Sequence, residues 1–260
     1  MINISDKKLK IKKGWQIQAA KFGTDHRATI RDIEFRKLNT LVVSRYLNKN
    51  DRCLDIACGN GFATAQYAQK VKFTVGIDYL PEFIELANKK HQKLVKIGKL
   101  AFRIGDILKL DLKGEFDKII CERTLNNLTS FADHKKAVLN LHKALKKNGL
   151  LLLVEPTVQG HQSVDKVRTA LGLPKLTKYW NNFYLDEVKF EKFIKPYFKI
   201  EKKIHFGTYH LISKILYPLY VYPKEQKFRS KFNRLARLIS QEYLEENGVS
   251  HTVLYVLRKR

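Results

Sequence analysis

Four acids stand at or near the ends of short apolar runs, and that placement suggests chemistry. Asp55 lies in Cys53-Leu54-Asp55-Ile56-Ala57-Cys58, just before Gly59 and Gly61. The run has the small, apolar character of a buried strand. Asp78 closes the run 73–78, Asp106 closes 100–106 and Glu122 closes 116–122. In open α/β sheets, ligands bind beyond the carboxyl ends of the strands. Glycine in the first turn lets backbone amides approach a ligand, because no Cβ stands in the way. A pyrophosphate site would carry G-x-G-x-x-G. This turn reads D-x-x-x-G-x-G, and an acid beside it repels a phosphate and welcomes a cation. Asp78 can accept from the hydroxyls of a sugar. Asp106 can accept from an amino group, while Ile107 offers a backbone N–H and an apolar face. Each acid alone is more often a solvated turn residue, so the succession carries the signal.

A second group lies nearer the C-terminus. Tyr209, Tyr217, Tyr220, Tyr222 and His210 cluster in 206–223. A hydroxyl acceptor needs a general base within hydrogen-bond reach. His210, His161, Glu155 and Glu122 are candidates whose order the residues leave open, and Tyr209 is a candidate catalytic neighbour of His210. The alternatives are a cap helix whose aromatics only pack on the sheet, or an interfacial contact with a membrane, given the flanking lysines. Glu122-Arg123 reads either as a ligand-positioning pair or as an ion pair bracing a turn. Arg31 offers a planar guanidinium suited to a carboxylate. The alternative for its segment, 24–31, is a helix cap with surface charges.

These residues require an alternating scaffold. A strand at about 52–57 leads to a helix from Phe62 to about Lys70. Strands at 73–78 and 100–106 flank a helix that Pro81 opens and that runs to about Val95. A strand at 116–122, a helix at about 133–147 closed by Asn148-Gly149, and a strand at 150–155 follow. Helices at 161–171 and 186–197, a strand at 198–206 and a closing strand at 249–257 complete the pattern. The expected fold is α/β: a doubly wound, mostly parallel seven-stranded sheet with an antiparallel last strand. Residues 1–50 form an N-terminal helical lid, with 1–13 frayed or loosely docked. Residues 51–206 form the core, 207–248 a helical insertion between strands six and seven, and 249–260 the closing strand. Trp15 and Phe22 would supply the lid's apolar cover.

Composition sets outer limits. The 260 residues include 44% hydrophobic types, ordinary for a globular chain. No run of about 18 apolar residues marks a spanning helix, and Met1–Lys8 lacks a signal-peptide core. The cytoplasm is the expected location. The three cysteines fit no zinc spacing, and no His/carboxylate ligand set for a metal is evident. The net charge of +25 is spread as scattered lysines. It reads as compositional bias, or as attraction for an anionic partner: an acidic acceptor, nucleic acid or a membrane surface.

The segments 54–61 (Leu-Asp-Ile-Ala-Cys-Gly-Asn-Gly), 75–78 (Val-Gly-Ile-Asp), 103–107 (Arg-Ile-Gly-Asp-Ile) and 145–155 resemble the ordered motifs of class I S-adenosylmethionine-dependent methyltransferases, most like the small-molecule or sugar branch. The resemblance covers about 15–158. It implies S-adenosylmethionine as cofactor and S-adenosylhomocysteine as product. It implies that Asp55, Gly59 and Gly61 hold the methionine end, Asp78 the ribose, and Asp106 with Ile107 the adenine. Trp15, Arg31, Tyr79, Glu122 and Arg123 join this expected cofactor set. Nucleic-acid amino methyltransferases of this fold carry [DNS]-P-P-[FYW] after the fourth strand. This chain has Cys121-Glu122-Arg123-Thr124 there, which counts against base N-methylation. The expected function is methyl transfer to oxygen or nitrogen of a small-molecule or glycan acceptor. An RNA methyltransferase using the basic surface and a non-catalytic cofactor-binding module are the alternatives.

Overall fold

The apolar runs that are joined by helices pair in parallel, because a crossover of a dozen or more residues returns the chain to the same end of the sheet. The computed structural model of the chain describes residues 4–179, 181–244 and 248–260. Its strands are β1 (Arg52–Ile56), β2 (Phe73–Asp78), β3 (Leu100–Ile104), β4 (Phe116–Glu122), β5 (Leu145–Pro156), β6 (Phe198–His205) and β7 (Thr252–Lys259). They form one sheet in the order β3-β2-β1-β4-β5-β7-β6. Pairing is parallel from β3 through β5, and β7 is antiparallel to both β5 and β6. The order reverses between β1 and β4. Crossovers leave in opposite directions there and open a crevice beyond the strand ends.

The helices are α1 (Ile4–Phe22), α2 (Ile33–Ser44), α3 (Thr64–Ala68), α4 (Pro81–Lys96), α5 (Phe131–Ala144), α6 (Val158–Ala170), α7 (Glu187–Ile194), α8 (Gly207–His210), α9 (Tyr217–Val221) and α10 (Lys231–Ser240). Strand side chains alternate between faces. Leu54, Ile119, Leu151 and Leu153 are buried with Val138 and Leu141 of α5 and Phe190 of α7. Cys53, Ile120, Leu152 and Val154 are buried on the other face with Phe35, Leu38 and Val42 of α2 and Ala236 of α10. Asp55 shares that second face by parity, which turns it toward α2 and α3.

Residues 4–13 differ from the expected frayed segment. Ile11, Trp15 and Ala19 recur every fourth position, which gives α1 a single apolar stripe. Ile11 and Ala19 are buried, Ala19 beside Leu80 and Phe83 of α4. Gln16 Nε2 donates to Glu82 Oε1 at 2.8 Å, and Lys8 pairs with Asp133 of α5 at 3.2 Å. The lid is therefore a strap from α4 to α5. The helix expected at 133–147 stops at Ala144, because Leu145 already pairs with Phe116 in the sheet. The helix expected at 62–70 contracts to α3, and the strand expected from 249 begins at Thr252. The insertion is helical as expected, through α8, a π-helical turn at Leu211–Leu216, α9 and α10. Its end at 245–247 lies outside the described residues.

Candidate functional site

The glycine turn is tied to the end of the neighbouring strand. Gly59 N–H donates to Asp78 Oδ2 at 2.8 Å, and Leu80 N–H donates to Asp78 Oδ1 at 3.0 Å. Gly59 has φ +55°, and a Cβ there would sit 2.5 Å from Thr29 Cγ2. Glycine is required twice over, for the backbone conformation and for the approach of the segment before α2. Asn60 completes the closure: its Nδ2 donates to Gly23 O at 3.0 Å and Asp25 O at 2.8 Å.

Beyond the ends of β1–β4 lies a cavity of about 230 Å³. Trp15 of α1 lines it, with Asp55, Gly59, Asp78 and Tyr79 from the ends of β1 and β2. Asp106 and Ile107, after β3, and Glu122 and Arg123, at the end of β4, also line it, from opposite sides of β2 and β1. Burial pushes the Asp55 carboxyl up to about 7 and that of Asp78 up to about 6. Thr64 Oγ1 donates to Asp55 Oδ2 at 2.6 Å, and the Tyr67 hydroxyl donates to Glu122. Ala57 and Arg123, the residues just beyond β1 and β4, have φ +57° and +52°. Left-handed backbone at two non-glycine residues is strain of the kind that gathers at functional sites.

Two residues of the expected cofactor set lie elsewhere. Gly61 lines no described cavity. A Cβ there would meet Phe102 Cζ at 2.6 Å, so this glycine makes room for an aromatic ring. Arg31 is exposed and lines a different cavity. Arg36, one turn into α2, lines the first cavity together with Arg123. Arg36 Nη2 donates to Thr29 Oγ1 at 2.5 Å, while its buried Nε has no hydrogen-bond partner among the described residues. Asn39 Oδ1, on the same wall, is buried and also without a partner. The clue in the sequence was Asp32. As N-cap it accepts from Phe35 N–H and fixes the phase that turns Arg36 and Asn39 inward.

A second cavity, of about 570 Å³, adjoins the first. Both are bounded by Ile11, Trp15, Thr29, Ile30, Arg123 and Asn127. The insertion supplies one wall, with Tyr209, His210, Lys214, Gln226 and Phe228. The segment between α6 and α7 supplies another, with Lys175, Asn182 and Tyr184, and His251 precedes β7. Sequence reading attached no function to Arg168, the 175–184 segment or His251. These positions are brought together only by the fold.

The proposed catalytic groups part company. Glu122 lines the first cavity. His210 and Tyr209 line the second. The Tyr209 hydroxyl is committed to Asp32, donating at 2.8 Å, and Asn233 Nδ2 donates to the same carboxylate at 2.8 Å. His210 is 2% exposed, and burial holds its ring far below the usual imidazole range. His251 N–H donates to His210 Nδ1 at 3.2 Å, which places the ring proton on Nε2. Glu155 is fully buried and lines neither cavity. It accepts from Thr124 and Leu125 N–H at 2.7 Å and Asn126 N–H at 3.2 Å, bracing the turn after β4. Burial raises its carboxyl to about 8, against the pull of those donors and of Arg123. His161 lines neither cavity and contacts Asp165 and the Tyr184 and His251 rings.

A parallel sheet that reverses between β1 and β4, with an antiparallel β7 beside β5, is the architecture of class I methyltransferases, whose cofactor is S-adenosylmethionine. The chain belongs to the methyltransferase-domain family, whose profile matches residues 47–205. The chain is similar to the ubiquinone/menaquinone biosynthesis C-methyltransferase of Citrifermentans bemidjiense. The two are 26% identical over 144 residues, 53% of this chain and 60% of that protein. The chain thus spans less than two thirds of that relative's length. Among solved structures, a Haemonchus contortus phosphoethanolamine N-methyltransferase superimposes with TM-score 0.64 at 15% identity, over 99% of this chain and 50% of the other. The N-methyltransferase NodS from Bradyrhizobium japonicum, in complex with S-adenosyl-L-homocysteine, superimposes with TM-score 0.60 at 14% identity, over 96% and 98%. At that identity the likeness is one of fold. No helix among the described residues is long and apolar enough to cross a membrane.

Proposed function

We propose that this protein transfers a methyl group from S-adenosylmethionine to oxygen or nitrogen of a small-molecule or glycan acceptor. The observation that carries the reading is the single cavity onto which Asp55, Asp78, Asp106 and Glu122 converge under the α1 lid. The residues present fit the cofactor. Asp78 suits the ribose hydroxyls, Asp106 and Ile107 the adenine, and Asp55 and Gly59 the methionine end. The unpartnered Arg36 Nε and Asn39 Oδ1 suit the tail's carboxylate and ammonium.

Bound S-adenosylmethionine supplies a methyl carbon that an acceptor lone pair takes as the C–S electron pair returns to sulfur. The protein's part is alignment and exclusion of water. The α1 strap, held by Lys8–Asp133 and Gln16–Glu82, closes the cavity. Glu122, at the end of β4 and fixed by the Tyr67 hydroxyl, is the proposed catalytic group nearest the transfer and would receive the acceptor's proton. His210, with its proton on Nε2, serves as a hydrogen-bond donor to the acceptor in the second cavity. Tyr209 holds the insertion to Asp32 at the start of α2. The second cavity, walled by α1, the insertion and 175–184, favours a small acceptor over an RNA base.

The test is transfer of labelled methyl from S-adenosylmethionine to fractionated metabolite, glycan and RNA pools, with calorimetry of cofactor binding beside it. Label entering the metabolite or glycan fraction supports the reading. Label confined to RNA would replace it with the nucleic-acid alternative, and absence of cofactor binding would reject both.

A further inference from the structure

The second cavity has a charge balance that the first lacks. Its lining includes seven lysines and arginines against one acid, Asp32. That acid is already spent: its oxygens accept from the Tyr209 hydroxyl, Asn233 Nδ2 and Phe35 N–H. Two cations stand out because no acid reaches ion-pair contact with them: Glu155 and Glu122 attract Arg123, and Asp32 attracts Lys214, only from farther off. The half-buried Arg123 guanidinium and Lys214 ammonium neither meet a carboxylate nor donate a hydrogen bond among the described residues. Lys214 Nζ lies 6.0 Å from the Phe228 ring centroid. Most partly buried cations in proteins are paired.

The backbone at both positions is unusual. Arg123 has φ +52°, and Lys214 lies in a π-helical turn. Such turns recur at functional sites because the extra residue re-aims a side chain. Arg168 reinforces the turn, donating from Nη1 to the Lys214 carbonyl and from Nε to Pro174 O at 2.7 Å. Its positive charge therefore stays beside Lys214. Burial lowers the Lys214 ammonium against the pull of Asp32, and repulsion from Arg168 and Arg123 adds to it. His210 and His251 add no charge, since burial keeps both rings neutral, His251 down to about 3. Neutral imidazoles and amides beside unpaired cations form a ready set of donors.

We propose that Arg123 and Lys214 bind an oxyanion, a phosphate or carboxylate, carried by the methyl acceptor. This deepens the small-molecule reading above and rests on it. Arg123 stands in the wall shared by the two cavities, so an acceptor anchored there has its reactive group at the junction with the cofactor cavity. Planar guanidinium and compact ammonium together suit a multidentate oxyanion.

The experiment is calorimetric titration of the full chain, saturated with S-adenosylhomocysteine, using inorganic phosphate and separately acetate at fixed ionic strength. Saturable binding of either is expected, and the stronger of the two names the oxyanion. Lys214→Gln should weaken it by about tenfold or more, the scale of a lost charge-assisted hydrogen bond. Lys214→Arg should largely restore it. Lys175→Gln, an exposed change at the same cavity, should weaken binding by about threefold without touching the packing. Lys224→Gln, exposed and outside the cavity, should change nothing. S-adenosylhomocysteine affinity is measured on every variant. Its loss in the wild type would reject the cofactor reading. Normal cofactor affinity with no saturable anion binding overturns the present inference alone. So does an equal effect of Lys224→Gln, which would mean diffuse surface charge. If Lys214→Gln fails to fold, an inert Lys175→Gln overturns it.

Discussion

The carboxylate of Asp78 and the amide of Gly59 are joined by a hydrogen bond of 2.8 Å across 19 residues of chain. One acid thereby shapes the turn and faces the cavity. Asp78→Ala should weaken S-adenosylmethionine by about 1.5–3 kcal/mol, as expected for hydrogen bonds to a charged group. Calorimetry checks this, and wild-type affinity in the variant would reject the ribose assignment.

Gly59→Ala should cost more than its size suggests, because φ is +55° and the new Cβ meets Thr29. A loss of about 1 kcal/mol or more in stability is expected, with a matching loss of cofactor affinity. Thr29→Ser removes the clashing methyl but not the backbone strain. The double variant should recover part of the loss in thermal unfolding. No recovery would mean that the turn, not the lid contact, sets the requirement.

Arg36 and Arg31 offer a direct contrast. Arg36→Gln should reduce cofactor affinity by about 1.5–3 kcal/mol, while Arg31→Gln leaves it unchanged. The reverse ranking would return the carboxylate to Arg31, where the sequence first placed it.

Cofactor binding should depend on pH through Asp55. Its carboxyl lies near 7 in the protein, facing Thr64, Glu122, Arg36 and Asp78. A cation favours the ionised form, so protons compete with it. Affinity should fall as pH drops from about 8 through about 7, by up to tenfold per unit below that. Asp55→Asn should flatten the slope, and a flat wild-type profile between pH 6 and 8 would exclude the idea. For the cofactor-free protein the same shift acts on stability. The unfolded chain ionises Asp55 near 3.8 and the folded one near 7, so stability is lost as pH rises across that window.

Tyr209→Phe separates clamp from catalyst. The hydroxyl satisfies buried Asp32, and its removal should cost about 1–3 kcal/mol of stability. Turnover per folded molecule should change little. A variant as stable as wild type but without turnover would restore Tyr209 as a catalytic group.

The sheet and the first cavity were legible because their signals are local. An apolar run, a glycine turn and an acid at the strand end all lie within a few residues of one another. Gly61 followed the motif yet serves Phe102, since a spacing pattern does not say which atoms approach a glycine. The α1 strap was obscured by its lysines, although Ile11, Trp15 and Ala19 already marked a buried stripe. The second cavity was legible only in its insertion wall, where Tyr209 and His210 had marked a candidate acceptor site. Arg123, Arg168, Lys214 and His251 come from four separate stretches, and their meeting depends on a π-helical turn that no residue type announces.

Trp15 and Ile11 of α1 stand in the wall of both cavities. A helix that roofs two ligands cannot lift from one without uncovering the other. On the proposed reading, methylated product and spent cofactor would leave through the same opening. A single rate, that of α1 parting from α4 and α5, would then govern both departures.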